Sequence, residues 1–283
     1  MHKITLWQQI LFQLILLLVG AFVLLPVWGL LRLALDGAIK SVPTDFRLLP
    51  TQWTLNVFAQ VWKAPSQALD FLGLLRNSLV VAGGAALTAV AFGTSMAYAF
   101  ARMHFRGRQV GLIGLLVGAM LPPVALMTPL YVLLETVHLR STLFGLMIVY
   151  AAFGMPFCIW NMRSAFQSIP RELEEAAFLD GAGHFAAFWR VTLPLALPAI
   201  AVAALVAFLA GYSEFAIGWL FVERSQNVTL AMAVWGMRNQ GSAPWSQISA
   251  LALMVSVPVM IIFLLLRRTL LDRLLIGGME QGG

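Results

Sequence analysis

Long apolar runs alternate with short polar interruptions along the chain, and six of the runs are long enough to cross a bilayer. A hydrocarbon core about 30 Å thick takes roughly 20 helical residues. This predicts spans near 10–31, 78–101, 110–134, 142–160, 197–221 and 248–266. Only the turn 135–141 separates the third and fourth runs, so these are expected to be antiparallel neighbours. An even number of crossings puts both termini on one side. The expected fold class is all-α, a polytopic membrane protein with six transmembrane helices.

The second run carries Ala85, Ala89, Gly93, Ala97 and Ala101, one small residue every fourth position. They share a helix face and let a neighbour approach closely. Ala199, Ala203, Ala207 and Gly211 repeat the device in the fifth run, and Gly114 and Gly118 repeat it in the third; all three read as packing seams. Pro122, Pro123 and Pro129 interrupt the third run and Pro156 the fourth. A broken ladder at membrane depth survives only where protein or water satisfies the freed carbonyls. Pro122 and Pro123 are therefore candidates for a pathway lining or a gating bend, with an ordinary kink as the simpler reading. Glu214, in Gly211-Tyr212-Ser213-Glu214-Phe215, is the acid deepest in an apolar run. An ionised carboxylate there needs a partner or water. Glu214 and Tyr212 are thus pathway candidates, or else a polar pair held near the interface.

Composition agrees with a bilayer protein: 60% of residues are apolar, 11% are charged and the mean hydropathy is +0.87. Too little polar surface remains to cover a water-soluble globule of this size. The run 10–31 is longer than a signal-peptide core and lacks a small-x-small cleavage site, so it is expected to be a retained anchor. One cysteine, Cys158, excludes an internal disulfide, and the four histidines have no ligand spacing, so no metal site is expected.

The formal charge of +6 is distributed by topology and forms no nucleic-acid stripe. Arg102, Arg106 and Arg108 lie between runs two and three, Arg163, Arg171 and Arg190 between four and five, and Arg267, Arg268 and Arg273 after six. Loops rich in arginine face the cytoplasm. Both termini are then expected to be cytoplasmic, with the protein in a cell membrane. The opposite loop, near 32–77, carries Pro43, Pro50 and Pro65 with Trp53 and Trp62, the mixture of an ordered interfacial cap.

The most polar long interruption, between runs four and five, contains Pro170, Glu172, Glu174 and Glu175, then Ala176-Ala177-Phe178-Leu179-Asp180-Gly181. Acids near a helix start suit its dipole, and Gly181 permits the left-handed residue that ends a helix. A second short helix carrying Phe185, Phe188 and Trp189 is expected to stop at Pro194. The product is a bent, projecting elbow.

These residues resemble the EAA loop of ABC-importer permeases: E-A-A, three residues, G, nine residues, I-x-L-P. Glu175, Ala176, Ala177, Gly181, Leu193 and Pro194 fall on the motif positions, and Val191 replaces the isoleucine. The resemblance extends to Asn77-Ser78-Leu79, Ala97-Tyr98-Ala99-Phe100-Ala101-Arg102, Pro129-Leu130-Tyr131, Ser168-Ile169-Pro170 and Val228-Thr229-Leu230. On these the chain is similar to the carbohydrate-uptake branch, MalG type. Gly-Tyr-Ser-Glu-Phe stands where Trp-Asn-Glu-Phe is more usual.

The resemblance implies a type I ABC importer permease fold with coupling helices in the cytoplasmic loop between spans four and five. Residues 1–71 would form an N-terminal tail, first span and short outer loop, 72–268 a core of five spans, and 269–283 a cytoplasmic tail against the ATPases. It implies an ATPase-coupling site of Glu175, Ala176, Ala177, Asp180, Gly181, Leu193 and Pro194. The implied partners are a second permease of MalF type, an ATPase dimer and an extracytoplasmic solute-binding protein, toward which the loop 222–247 reaches.

A nucleotide P-loop needs Gly-Lys followed by Ser or Thr. The three lysines, Lys3, Lys40 and Lys63, follow His, Ile and Trp. No such site exists in this chain, and neither a proton-relay series nor a hydrolase motif is present. No catalytic residue or cofactor is therefore assigned, with ATP and Mg bound by the partner ATPase. The expected function is one half of an ATP-driven path for a di- or oligosaccharide such as maltose, maltodextrin or trehalose. The same machinery serving glycerol phosphate, polyols or another oligosaccharide, or a self-contained carrier or channel, remain the alternatives.

Overall fold

The computed structural model describes residues 5–39, 41–45, 47–66, 68–239 and 244–279, with side chains to 265. Among these, every regular element is helical, apart from one isolated antiparallel bridge between Asp36 and Trp53. Among the described residues, five helices are long and apolar enough to cross a membrane, and a sixth span results if one sharply bent pair is counted together. The chain divides into two compact units, residues 1–71 with 234–258, and residues 72–233 with 259–283.

In the first unit, helix α1 (Leu6–Leu35) is apolar all round, and its most hydrophobic stretch buries nothing within the chain. Such a helix belongs against lipid or another subunit. It ends at Asp36, fully buried, whose carboxylate accepts N–H bonds from Thr51 (2.6 Å), Gln52 (3.2 Å) and Ala38 (3.2 Å). Burial by itself pushes this carboxyl up, but the backbone donors outweigh it and hold the pKa below the usual value. Trp28 and Arg32 donate to the Leu48 and Leu49 carbonyls, and helix α2 (Asn56–Lys63) follows. The expected interfacial cap is therefore a folded one, with a short helix that the sequence reading lacked.

The second unit is built on helix α3 (Phe71–Arg102), whose small-residue stripe is buried from Ala85 through Ala101. A Cβ on Gly93 would meet Met162 at 3.0 Å and Cys158 at 3.3 Å, so the fourth span presses directly on the stripe. That span, α6 (Leu143–Ser168), is capped by the Thr142 hydroxyl accepting from Gly145 N–H at 3.0 Å.

The third span, expected over 110–134 with an interruption at its prolines, is broken there more sharply than an ordinary kink. It is α4 (Arg108–Met120) and α5 (Pro123–Thr136), bent by 99°. Neither Pro122 nor Pro123 can donate a backbone hydrogen bond, and the residue before a proline is pushed out of helical geometry. Leu121 and Pro122 are accordingly extended, and Pro123 restarts the helix where its missing N–H costs nothing.

The fifth span is also displaced. It starts at α8 (His184–Ala187), passes through a π turn, Phe188–Thr192, and continues as α9 (Leu193–Ser213). Pro194 does not stop the elbow's second helix as expected. It sits in the first turn of α9, where Leu193 N–H reaches back five residues to Phe188. The widened turn gives the proline ring room against the carbonyl four residues before it. At its far end the span stops at Ser213, eight residues before the expected Phe221, and a separate helix α10 (Ala216–Phe221) follows. Helices α11 (Leu230–Asn239) and α12 (Trp245–Met279) complete the chain. Residues 280–283 of the expected tail and 240–243 of the loop 222–247 lie outside the described residues.

Candidate functional site

The elbow begins because Ile169 precedes Pro170 and is forced extended, ending α6 at Ser168. Helix α7 (Glu172–Leu179) starts just past the proline with three acids in its first turn, at the positive end of its dipole. Gly181, at φ +84°, closes it. Its N–H donates to Phe178 (3.0 Å), and Ala182 N–H donates to Ala177 (2.9 Å). This pair of bonds satisfies the last carbonyls of the helix, and only a residue tolerant of left-handed geometry makes it without strain.

The elbow's base is buried and its tip is not. Glu174 is 6% exposed. Its carboxylate accepts from Arg102 Nε at 2.9 Å and from the Thr192 hydroxyl at 2.8 Å, with the Tyr98 hydroxyl at 3.5 Å. Arg102 also donates to the Ile169 carbonyl at 2.7 Å. One ion pair thus ties together the end of α3, the joint between α6 and α7, α7 itself and the π turn that heads α9. Beneath it the Tyr98, Phe166 and Phe188 rings pack with centroids 4.7 to 6.3 Å apart. At the tip, Leu179 is 90% and Phe185 76% exposed.

Of the sequence-derived coupling residues, Glu175, Ala176, Asp180 and Gly181 are exposed along α7 and its closing turn, and Ala177 is half-buried. Leu193 and Pro194 lie in the opening turn of α9, half-buried and exposed. The first group and the last pair are joined through Thr192 and Glu174. The sequence reading missed Glu174 as the buried member of the acidic group. The available signal was Tyr98 and Arg102, four apart at the end of α3 and hence on one face, which offers a hydroxyl and a cation to some acid.

The pathway candidates fall in two other places. Pro122 and Pro123 are exposed at the bend between α4 and α5. Tyr212 is buried near the far end of α9, its ring stacked on Phe208 at 5.6 Å. Glu214 is half-buried and accepts from Ile217 N–H (3.1 Å) and Gly218 N–H (3.3 Å), so it caps α10.

The end of the unit opposite the elbow is also pinned. Asn77 donates to the carbonyls of Gln226 (2.8 Å) and Val228 (3.0 Å), and the Ser78 hydroxyl accepts from Leu230 N–H at 2.7 Å. Two separate motif tripeptides, Asn77-Ser78-Leu79 and Val228-Thr229-Leu230, are therefore one structural joint. Ser141, at φ +59°, accepts from the N–H groups of Glu223 and Arg224 at 3.0 and 2.9 Å. Arg140 pairs with Glu135 and Glu223; these bonds raise its pKa and, through Arg140, hold the Glu223 carboxyl below the usual range.

A helical core of candidate spans with a braced elbow at one end and a pinned loop joint at the other is the arrangement of a polytopic membrane protein. Residues 89–276 match the family described as binding-protein-dependent transport system inner membrane component, and the chain belongs to that family. The maltose/maltodextrin transport system permease protein MalG of Escherichia coli (strain K12) is 36% identical over 211 residues, covering 73% of this chain and 71% of that one. The trehalose/maltose transport system permease protein MalG of Thermococcus litoralis is 30% identical over 229 residues, covering 80% and 81%. The inner membrane ABC transporter permease protein YcjP of E. coli K12 is 27% identical over 257 residues, 91% of each chain. The fold is shared with a subunit of a bacterial ABC transporter involved in the import of alginate, at a TM-score of 0.75 and 21% identity, covering 95% of this chain and 99% of that one.

Proposed function

We propose that this chain is one permease half of an ATP-driven importer of di- or oligosaccharides, moved by a separate ATPase that grips the elbow. The observation that carries the reading is the contrast within the elbow. Two large apolar side chains, Leu179 and Phe185, stand in solvent on a base fixed by a buried ion pair. Exposed apolar groups on a rigid mount suit a protein partner. Glu175 and Asp180, exposed beside them, would meet basic groups on that partner.

Arg102, Arg106, Arg108, Arg163, Arg171 and Arg190 cluster at the elbow end of the sequence's membrane map, which supports a cytoplasmic elbow and cytoplasmic termini. Nucleotide-driven closure of the ATPase would then displace the tip. Because Glu174 ties α7 to α3 and to the head of α9, displacement would pass to both spans as a rigid-body rotation, opening the path to alternate sides. The hydrolytic chemistry belongs to the partner, with its ATP and Mg; this chain supplies the handle and half of the path. A second permease and an extracytoplasmic binding protein complete the machine. The sugar class is supported by the two MalG relatives, whose names specify maltose, maltodextrin and trehalose.

The test is reconstitution. Proteoliposomes holding this chain alone should take up no sugar, and those holding both permeases, the ATPase and the loaded binding protein should take it up with ATP. Uptake by the lone chain would contradict the proposal. A thermal-shift screen of the binding protein against sugars, glycerol phosphate and polyols identifies the solute.

A further inference from the structure

We propose that the cavity between the start of α4 and the elbow-side half of α6 seats the phosphate of an anionic membrane lipid, with an acyl chain along α4. The cavity has a volume of about 570 Å³. Arg108 and Arg163 line it, and both direct Nε to one acceptor, the Phe100 carbonyl, at 2.9 and 3.4 Å. Two guanidinium groups are thereby gathered at one point, and among the described residues no hydrogen bond engages their terminal nitrogens. Among the described residues, no acidic one lines the cavity. The neighbouring cavity at the elbow is different: there Arg102 and Arg171 are accompanied by Glu174 and Glu175. Two half-buried like charges without a compensating acid favour an anion, and paired guanidinium forks match phosphate oxygens.

The rest of the lining selects a lipid over a free anion. Leu112, Ile113 and Leu116 continue from Arg108 along α4, and the last lies about 12 Å up the helix by its rise. A soluble phosphate needs no such apolar wall, whereas an acyl chain does. Trp160 forms part of the lining; Arg163 stacks over its ring at 5.4 Å, and its indole N–H is buried without a partner among the described residues. The depth also fits. Phe100 lies two residues before the end of α3, so the arginines sit about 3 Å inside the span's end, at headgroup level. The assignment to the inner leaflet rests on the proposed cytoplasmic elbow; the site itself does not.

Native mass spectrometry of the full chain in detergent tests the site without ATP, sugar or partners, so its outcome is independent of the transport reading. Phosphatidylglycerol should be retained over phosphatidylcholine of the same chains. The R108Q/R163Q variant should lose retention by roughly thirtyfold, the effect of two surface-level cations, while R190Q, at an exposed arginine outside the cavity, should match the wild type. Equal retention of the two lipids, unchanged binding by R108Q/R163Q, or displacement by millimolar inorganic phosphate would overturn the proposal. Should R108Q/R163Q not fold, phosphatidylglycerol with a photoreactive acyl chain decides on the wild type. Labelling of the Leu112–Leu116 stretch is expected, and labelling confined to other helices would refute it.

Discussion

Two carboxylates bracket the same span and are held in opposite ways. Glu174 reaches the turn that leads into α9 and is buried against Arg102, whereas Glu214 follows the last residue of α9, half-buried, accepts the N–H groups of Ile217 and Gly218 and has the Tyr150 hydroxyl beside it, with no cation paired to it among the described residues. A charge-assisted pair in a nearly dry site ties α3, the joint between α6 and α7, α7 and the head of α9 together. A capping carboxylate fixes the start of one short helix. The difference shows that an acid's depth in the hydrophobic pattern does not reveal its structural weight. Glu214 stands out within an apolar run, and Glu174 lies inconspicuously among other acids in a polar interruption, yet Glu174 holds more of the protein together.

The largest effect expected from breaking this comparison is at Glu174. Glu174→Gln leaves the Arg102 guanidinium buried without its anion, which costs about 3–5 kcal/mol in such sites. Thermal unfolding of the purified complex should fall sharply, and uptake with it. Replacing both partners with leucine removes the unpaired charge but leaves the Thr192 hydroxyl and the Ile169 carbonyl without partners, so it should recover only part of the stability; a Glu174→Gln variant as stable as the wild type would show that the pair is not the brace.

A smaller effect is expected at Gly181. A Cβ there meets nothing within 4 Å, so Gly181→Val creates no clash, but φ of +84° strains a branched residue by roughly 1–2 kcal/mol. Membrane insertion should be intact and co-purification of the ATPase reduced. Normal co-purification together with normal uptake would remove the closing turn of α7 from the coupling account.

Glu214→Gln keeps an oxygen for the α10 N–H groups and should cost about 1 kcal/mol or less, with uptake within a few-fold of wild type. Abolished uptake in a stably assembled complex would assign Glu214 to the path. The smallest effect at neutral pH is at Asp36. Its folded pKa is depressed, so it binds protons less readily folded than unfolded. Its stabilisation is therefore full above the unfolded value of about 4 and disappears as pH falls through the lower folded value. Unfolding of the wild type should show this acid-dependent loss, and Asp36→Asn should not.

The spans were legible because apolar length alone identifies them, and the elbow's ending was legible because Gly181 follows a helical run at the right distance. The small-residue stripes of α3 and α9 were read correctly as seams: Gly211 would place a Cβ 3.4 Å from Ala82 Cα. The 99° bend was not legible in its size, since two prolines forbid a straight helix without specifying the angle that replaces it. Nor was the run of α8 through a π turn into α9, because Pro194 reads equally as a stop or as a first-turn residue. The Glu174 brace depends on residues 72 positions apart, Arg102 and Glu174, and local pattern carries no such pairing.

The most direct test of the elbow as a handle uses the chain's own thiol count. Cys158 is the only cysteine and is buried, so Leu179→Cys places one reactive thiol at the exposed tip. In membranes containing the whole complex, a short bifunctional reagent should join this residue to the ATPase subunit, with a yield that changes when ATP is added. Labelling of the same thiol by an impermeant maleimide from outside intact cells, with no cross-link to the ATPase, would contradict it.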